Sequence, residues 1–284
     1  MTTELDKTTV REHYQRIASV MEHLAKCDGN ETIGLNDYAG WYVKRDHDDY
    51  DLIDEGYPRE GRCATLATDY DTVAGRIDRA LYALTSYKDP DALRDWEPCT
   101  MTDDGTEWRD DAPTPGYGDL RGVMAWGDID LRDELKPQRG DLDDETRETI
   151  EATLSAYMDE FATLYGDRDA VYALDSVGGA YIMGAPAATL PIAELFEDDA
   201  DARTRVMEAF VDRSNEWLKS AQKRVETRVA GAADVIDPDW VNNCNRQYKA
   251  PLSLHTDHDA VVVPLSPDDP MYELMTFDEV DDEL

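Results

Sequence analysis

The amino-acid sequence predicts an α/β or α+β fold, because short apolar segments alternate along the chain with segments of helical periodicity. Residues 125–131, AWGDIDL, are short and apolar enough to predict a buried strand. After Asp143 and Asp144, apolar side chains recur at helical spacing from Ile150 to Phe161. Strands from separated regions with helices between them are typical of mixed folds.

The first 118 residues predict two helices and a long loop. Thr8 or Thr9 is expected to cap a helix that continues to Leu24. A second helix is predicted over 71–87, because its apolar residues recur at helical spacing at Val73, Ile77, Leu81 and Leu84. Residues 90–118 are rich in Pro, Gly and Asp and predict a loop.

The elements after residue 131 are predicted from the same patterns. Residues 170–174 predict a strand, followed by a glycine-containing turn and an apolar segment at 181–183. Residues 201–229 have the period of a long helix, and 260–265 predict a further strand. The acidic residues 266–284 are expected to be partly disordered or loosely docked.

The charge of the chain is extreme. Asp and Glu total 64 against 28 Lys and Arg, which gives a formal net charge of −36. The acids are interleaved with apolar residues throughout, so the composition predicts a folded protein adapted to molar salt, as in haloarchaea or their mobile elements. At about 1 M salt the Debye length is about 3 Å, so surface repulsion is screened. Net charge therefore does not exclude nucleic acid as a partner.

Cysteine usage and hydropathy limit the class of protein further. The four cysteines are isolated, with no C-x-x-C pair, so neither a zinc site nor a disulfide framework is indicated. No apolar segment has the length of a signal region or a membrane span. The sequence therefore predicts a soluble cytoplasmic protein without a membrane partner.

Asp128 and Asp130 form the first candidate site. Side chains two residues apart in a strand point to the same side, so the two carboxylates are expected to converge. Two close like charges favour a cation between them, and carboxylate oxygens suit a divalent ion. Asp-x-Asp alone is a weak signal in so acidic a chain.

Three segments in this order resemble the archaeo-eukaryotic primase superfamily, and most closely the catalytic small subunit of DNA primase. They are AWGDIDL at 125–131, ALDSVGGAYIMG at 173–184, and the segment 236–265, which contains Pro-Leu-Ser-Leu-His. The resemblance is good over 120–265 and thin over the first hundred residues or so. It implies a primase-type catalytic domain over 1–265, followed by the acidic tail.

The resemblance implies a fold and an activity. The fold would have two lobes, an N-terminal α/β unit and an RRM-like unit, with the catalytic cleft between them. The activity would be template-directed nucleotidyl transfer on single-stranded DNA, from NTP or dNTP, with two Mg²⁺ or Mn²⁺ ions. A primase large subunit or a replication helicase would be a further partner.

The resemblance also implies roles for individual residues. Asp128, Asp130 and Asp237 would hold the metal ions, with Asp239 as the alternative to Asp237. Phosphate and nucleotide would be bound by Ser176, Gly178, Gly179, Tyr181, Arg246, Lys249, Ser253 and His255. Ordinary structural roles compete with these. The glycines suit a hairpin turn equally well, and the cations suit surface ion pairs.

The chain departs from the family pattern at its second motif. Tyr181 stands where the family has His, and Val177 and Gly178 stand where Gly and Arg are expected. Tyrosine donates a hydrogen bond but brings no positive charge. Two other functions are therefore kept open, a catalytically weakened primase-fold accessory that binds nucleotide or DNA, and a two-metal nuclease.

The composition predicts that salt stabilises the protein. Because screening reduces repulsion among the 64 acidic side chains, the midpoint of thermal unfolding should rise between about 0.2 M and about 2 M KCl. Sucrose at matched osmolality controls for solvent exclusion and should raise it less. A midpoint that does not rise with KCl would contradict the adaptation to salt.

Overall fold

The structure is a computed structural model, and its described residues fall into sixteen ranges. They are 7–17, 40–45, 49–52, 64–65, 80–84, 86–88, 99–102, 105–108, 120–123, 125–136, 141–184, 195–196, 199–239, 247–249, 251–255 and 260–265. For the strands between residues 40 and 123 the description covers the backbone alone.

The described elements combine helices with antiparallel strands, in agreement with the predicted α+β class. In chain order they are α1 (Lys7–Arg16), β1 (Gly40–Arg45), β2 (Asp49–Leu52), β3 (Ala64–Thr65), β4 (Ala80–Leu84), β5 (Ser86–Lys88), β6 (Cys99–Thr102), β7 (Gly105–Trp108), β8 (Leu120–Val123), β9 (Trp126–Leu131), α2 (Asp144–Tyr165), β10 (Val171–Asp175), β11 (Gly179–Gly184), α3 (Ala200–Arg228), α4 (Ala232–Val235), β12 (Ile236–Asp239), β13 (Gln247–Lys249) and β14 (Val263–Leu265).

Two five-stranded sheets organise these strands. Sheet I has the order β12-β9-β11-β10-β14, and its described pairs are all antiparallel. Sheet II has the order β13-β4-β1-β2, with β3 also paired to β1. Two smaller pairs, β5-β8 and β6-β7, complete the described ladders. The strands predicted at 125–131, 170–174 and 181–183 all lie in sheet I.

Helix α2 covers one face of sheet I. It begins at Asp143, whose side chain accepts a hydrogen bond from the Thr146 backbone N–H at 2.8 Å. This bond, together with one from the Thr146 hydroxyl, lowers the pKa of Asp143. The helix ends at Gly166, which has a left-handed φ of 81°. The helix predicted after Asp143 and Asp144 is confirmed.

The core lies between sheet I and its helices. Ile129 and Leu131 of β9 are buried on the helix-covered face, together with Ala180 and Ile182 of β11. Helix α3 packs over α2, and the rings of Phe161 and Trp217 meet edge to face at 5.1 Å. The long helix predicted over 201–229 is confirmed.

Helix α1 packs against the segment 251–255. His13 Nε2 donates to the Leu252 carbonyl at 2.8 Å, and the Tyr14 hydroxyl accepts from the Leu254 N–H at 3.1 Å. The Tyr14 hydroxyl also lies 3.2 Å from Ser253 Oγ. These contacts join residues about 240 positions apart in the sequence.

The helix predicted over 71–87 is wrong in its second half. Residues 80–84 form β4 and residues 86–88 form β5. Strand β4 lies between β1 and β13, so it gains hydrogen bonds along both edges. Those partners are remote in sequence, and their pairing outweighs the local apolar spacing.

The loop predicted over 90–118 is also wrong in part. Strands β6 and β7 pair within it, from Cys99 with Trp108 to Thr102 with Gly105. That register leaves two residues between the strands, the commonest length of a hairpin connection. The high content of Asp and Gly marked the turn correctly but hid the strands beside it.

Several predictions lie outside the described residues. These are the continuation of the first helix to Leu24, the segment 71–79 and the acidic tail 266–284. The division into a catalytic domain and a tail stays a prediction. Within the part of the chain that is described, no helix combines the length and apolar character needed to cross a bilayer.

We expect the buried His13 to make the free energy of unfolding depend on pH. Burial lowers the pKa of His13, the nearby Arg16 adds to this, and the hydrogen bond to Leu252 opposes it. Below about pH 6.5 the unfolded chain therefore binds a proton more readily than the folded chain, so this contribution is lost as the pH falls. The variant His13→Gln keeps a donor but does not titrate.

The test compares the free energies of unfolding of wild type and His13→Gln at about pH 7.5, 6.5 and 5.5, in molar KCl. The advantage of the wild type should shrink as the pH falls. An advantage independent of pH would show that the titration of His13 is not coupled to folding.

Candidate active site

Four aspartate positions share one face of sheet I through the register of β9 and β12. Asp130 is paired with Asp237, and Asp128 is paired with Asp239. Residues directly opposite in an antiparallel pair share a face, with Cβ atoms about 5 Å apart. The pairs thus form a two-by-two arrangement on the face opposite the one that buries Ile129. We call these four positions the acidic cluster.

The other edge of β9 is held closely against β11. Gly179 is paired with Asp130, and Tyr181 is paired with Asp128. A Cβ at Gly179 would lie 2.2 Å from the Ile129 carbonyl oxygen and 2.7 Å from the Asp130 Cα. Only glycine permits this approach without moving the backbone that carries Asp130.

Lys136 forms an ion pair with Asp130. Its Nζ lies 3.7 Å from Asp130 Oδ1 and 3.2 Å from Asp133 Oδ1. Partial burial lowers the pKa of Lys136, but the charges of Asp130, Asp133 and Asp128 outweigh it and leave the pKa raised. Lys136 is therefore a stable positive charge beside the acidic cluster.

Arg132 provides a second cation, at the other strand. Its Nη1 lies 3.8 Å from Asp237 Oδ2. Its Nε and Nη2 donate to the Ala233 carbonyl at 3.0 Å and 2.7 Å. The guanidinium is thus anchored to α4, the short helix that directly precedes β12.

The acidic cluster has the donor chemistry of a divalent-metal site. Carboxylate oxygens are the ligands that Mg²⁺ and Mn²⁺ prefer, and the register places their backbones side by side. As the described side chains stand, no group of three or more His, Cys, Asp or Glu is arranged around a common point. Asp130 faces Lys136, and the two-thirds exposed Asp237 faces Arg132. Binding a metal ion there requires these carboxylates to rotate toward each other.

The segment 175–179 forms the hairpin turn between β10 and β11. The Ser176 N–H donates to the Gly179 carbonyl at 3.0 Å, and the Val177 N–H donates to Asp175 Oδ1 at 2.7 Å. Val177 has a left-handed φ of 72°, which is unusual for a β-branched residue. The amides of Ser176 and Val177 are bonded within this turn, and the phosphate-binding role of the segment stays a prediction.

Gly178 links the hairpin turn to the end of β9. Its carbonyl accepts a hydrogen bond from the Leu131 N–H at 2.9 Å. A Cβ built on Gly178 would lie 3.9 Å from Cδ and Cε of Lys136. The hydrocarbon stem of Lys136 therefore lies over this turn.

Tyr181 lies in an aromatic group between the two sheets. Its ring centroid is 6.1 Å from that of Trp126 and 5.8 Å from that of Tyr248. Tyr181 and Tyr248 are both buried, and Tyr248 belongs to β13 of sheet II. Sheet II therefore contacts the face of sheet I that carries the acidic cluster.

Ser253 and His255, two predicted phosphate-binding residues of the third segment, lie at the opposite edge of sheet I. Ser253 is fully buried, with its hydroxyl beside Tyr14 and donating to the Leu254 carbonyl at 3.1 Å. His255 is also buried, and its N–H donates to the Ala260 carbonyl at 2.9 Å. Both residues belong to a hairpin that leads into β14, and β14 is separated from β9 by two strands.

Of the two basic residues predicted before this hairpin, the structure describes Lys249 but not Arg246. Lys249 follows Tyr248 on β13 and is paired in register with Tyr82 of β4. Arg246 lies outside the described residues. The nucleotide-binding roles of both stay predictions.

Sequence reasoning missed Arg132, and for Lys136 it allows two roles, a contact to the template or a counter-ion of Asp133 and Glu134. Arg132 lies two positions after Asp130, and strand periodicity places it on the side of the acidic cluster. That signal was available in the sequence. The ion pair of Lys136 with Asp130 depends on the turn after β9, which local patterns do not specify.

Comparisons with known proteins find a likeness among solved structures alone. No protein-family profile matches the chain, and no curated protein matches it. Among solved structures, the chain is similar to the polymerase domain from Mycobacterium tuberculosis ligase D in complex with DNA, with a TM-score of 0.48 and 13% sequence identity. The match covers 98% of this chain and 88% of that chain. What the protein does is therefore inferred from its own residues.

Gly179→Ala should perturb the acidic cluster through the backbone of β9. The added methyl group collides with backbone atoms of Ile129 and Asp130, so we expect a loss of about 1–3 kcal/mol in the free energy of unfolding. Gly178→Ala is the matched control. Its methyl group meets only the flexible stem of Lys136, and the change should stay within about 0.5 kcal/mol. Equal effects in chemical denaturation would contradict the close approach of β11 to β9.

Proposed function

We propose that this protein is a template-directed nucleotidyltransferase of the primase–polymerase type. It would synthesise or extend primers on single-stranded DNA, using NTP or dNTP with Mg²⁺ or Mn²⁺. The proposal is supported by the resemblance of three segments to the primase superfamily and by the geometry of sheet I.

One observation carries the proposal. Asp237 is more than a hundred residues from Asp130 in sequence, yet it is paired with Asp130 across neighbouring strands. The resemblance of the three segments to the primase superfamily independently predicts that these acids share a site. In an acidic chain, chance produces many Asp-x-Asp sequences, but it rarely sets two of them opposite each other on one face.

The residues of the chain would divide the chemistry as follows. Asp128, Asp130 and either Asp237 or Asp239 would supply oxygen ligands from two adjacent strands. When bound there, divalent ions would align an attacking hydroxyl with the α-phosphate and offset the charge of the leaving pyrophosphate. Lys249 and His255, and Arg246 outside the described residues, would bind the triphosphate.

A weakened accessory protein is the second candidate, and two observations favour it. Tyr181 is buried between Trp126 and Tyr248, and it brings no positive charge. The amides of Ser176 and Val177 are already bonded within the hairpin turn. Such a protein would bind nucleotide or DNA without incorporating nucleotides.

An incorporation assay tests the leading proposal. Labelled NTP or dNTP is supplied with a single-stranded DNA template, with and without a primer, in Mn²⁺ or Mg²⁺ and molar KCl. The wild type should incorporate label. Asp128→Asn with Asp130→Asn should lower the rate by more than about 100-fold, because even an outer-shell change at a metal site costs 10- to 100-fold.

Glu208→Gln with Asp212→Asn is the charge-matched control, because both side chains are exposed on α3 and the pair also removes two negative charges. Both lie away from the acidic cluster, and their loss should leave the rate unchanged. Binding of nucleotide or DNA without incorporation would favour the accessory. Degradation of the labelled DNA with no binding of NTP would point to a two-metal nuclease and overturn the proposal.

A further inference from the structure

The turn after β9 brings its own cations to the acidic cluster. Lys136 Nζ lies 3.7 Å from Asp130, and Arg132 Nη1 lies 3.8 Å from Asp237. Each of these two carboxylates therefore faces a positive side chain of the same short segment. The cations offset the repulsion that would otherwise separate β9 from β12.

The two cations differ in how firmly they are held. Arg132 donates twice to the Ala233 carbonyl, so its guanidinium is fixed to the backbone. The Lys136 ammonium contacts Asp130 and Asp133, and the Asp133 side chain is almost fully exposed. A lysine on a flexible four-carbon stem can exchange such partners, whereas the anchored arginine cannot.

The position of Lys136 also relates it to the hairpin turn. Its stem lies over Gly178, and its side chain is about one-third exposed. At about 1 M salt, charges interact strongly only near contact, since the Debye length is about 3 Å. A cation that binds a substrate phosphate in this protein must therefore stand next to the reaction site, as Lys136 does.

We propose that Lys136 is a phosphate-binding residue of the nucleotide site, whose ammonium occupies the cation position at Asp130 until metal and nucleotide bind. This inference rests on the proposed function. Lys136 pairs with Oδ1 of Asp130, an oxygen that a divalent ion would also use, so the ion would displace the ammonium. The released ammonium is then free to pair with the incoming triphosphate, for which lysine is a common partner.

The proposal predicts opposite effects on two affinities. Lys136→Gln keeps the first part of the stem and a polar end but removes the charge. Mn²⁺ alone should bind this variant about 3- to 5-fold more tightly, because it no longer competes with the ammonium. ATP or dATP, measured with Mn²⁺ present, should bind about 10-fold more weakly or worse. A lysine that only stabilises the fold would not separate the two affinities in this way.

The measurements are titrations of Mn²⁺ followed by electron paramagnetic resonance and nucleotide binding followed by calorimetry, both in molar KCl. Lys136→Arg restores the charge and should recover most of the nucleotide affinity. Lys219→Gln, an exposed lysine on α3, is the matched control and should change neither affinity.

Asp130→Asn in the same Mn²⁺ titration separates the two proposals. If Asp130→Asn abolishes Mn²⁺ binding while Lys136→Gln changes neither affinity, Lys136 is a structural counter-ion and only this inference falls. If Asp130→Asn leaves Mn²⁺ binding unchanged, the metal site is absent and both proposals fall. Opposite shifts in Lys136→Gln, with rescue by Lys136→Arg, would support the inference.

Discussion

The register of β9 between β11 and β12 is the constraint on which the candidate site depends. A shift of one residue would turn Asp128 and Asp130 toward helix α2 and turn Ile129 toward the opposite face of the sheet. Apolar burial fixes the register, since Ile129 is fully buried under the helix and Leu131 is paired with the buried Ile236. The same packing that builds the core thus sets which carboxylates face each other.

The acidic cluster is costly to assemble without compensation. Several like charges on one face repel each other, and Asp237 stands directly opposite Asp130. The chain offsets this locally with Arg132 and Lys136, which the turn after β9 delivers to the two strands. The molar salt that the composition implies would screen the remaining repulsion at longer range. Local pairing and solvent screening therefore act at different distances.

The parts of the fold that the sequence predicted share a physical property, strong apolar periodicity with clear ends. Helix α2 begins at the capping residue Asp143, and β9 is defined by alternating apolar positions. Strand β4 was mistaken for helix because its partners β1 and β13 are distant in sequence. The facing of Asp130 and Asp237 likewise depends on a long-range pair, so periodicity alone did not reveal it. The motif resemblance supplied it.

The candidate phosphate-binding residues show that residue type alone does not identify a ligand-binding group. The hydrogen bonds that the group already makes within the fold matter as well. Ser253 has a suitable hydroxyl, but Tyr14 and the Leu254 carbonyl already surround it in the core. Likewise, the Ser176 and Val177 amides close the β10–β11 turn. A group engaged in this way binds a ligand only by giving up a bond of the fold. Recognition of phosphate near β9 should therefore rely on cations whose partners are exchangeable, and an exposed carboxylate such as Asp133 is such a partner.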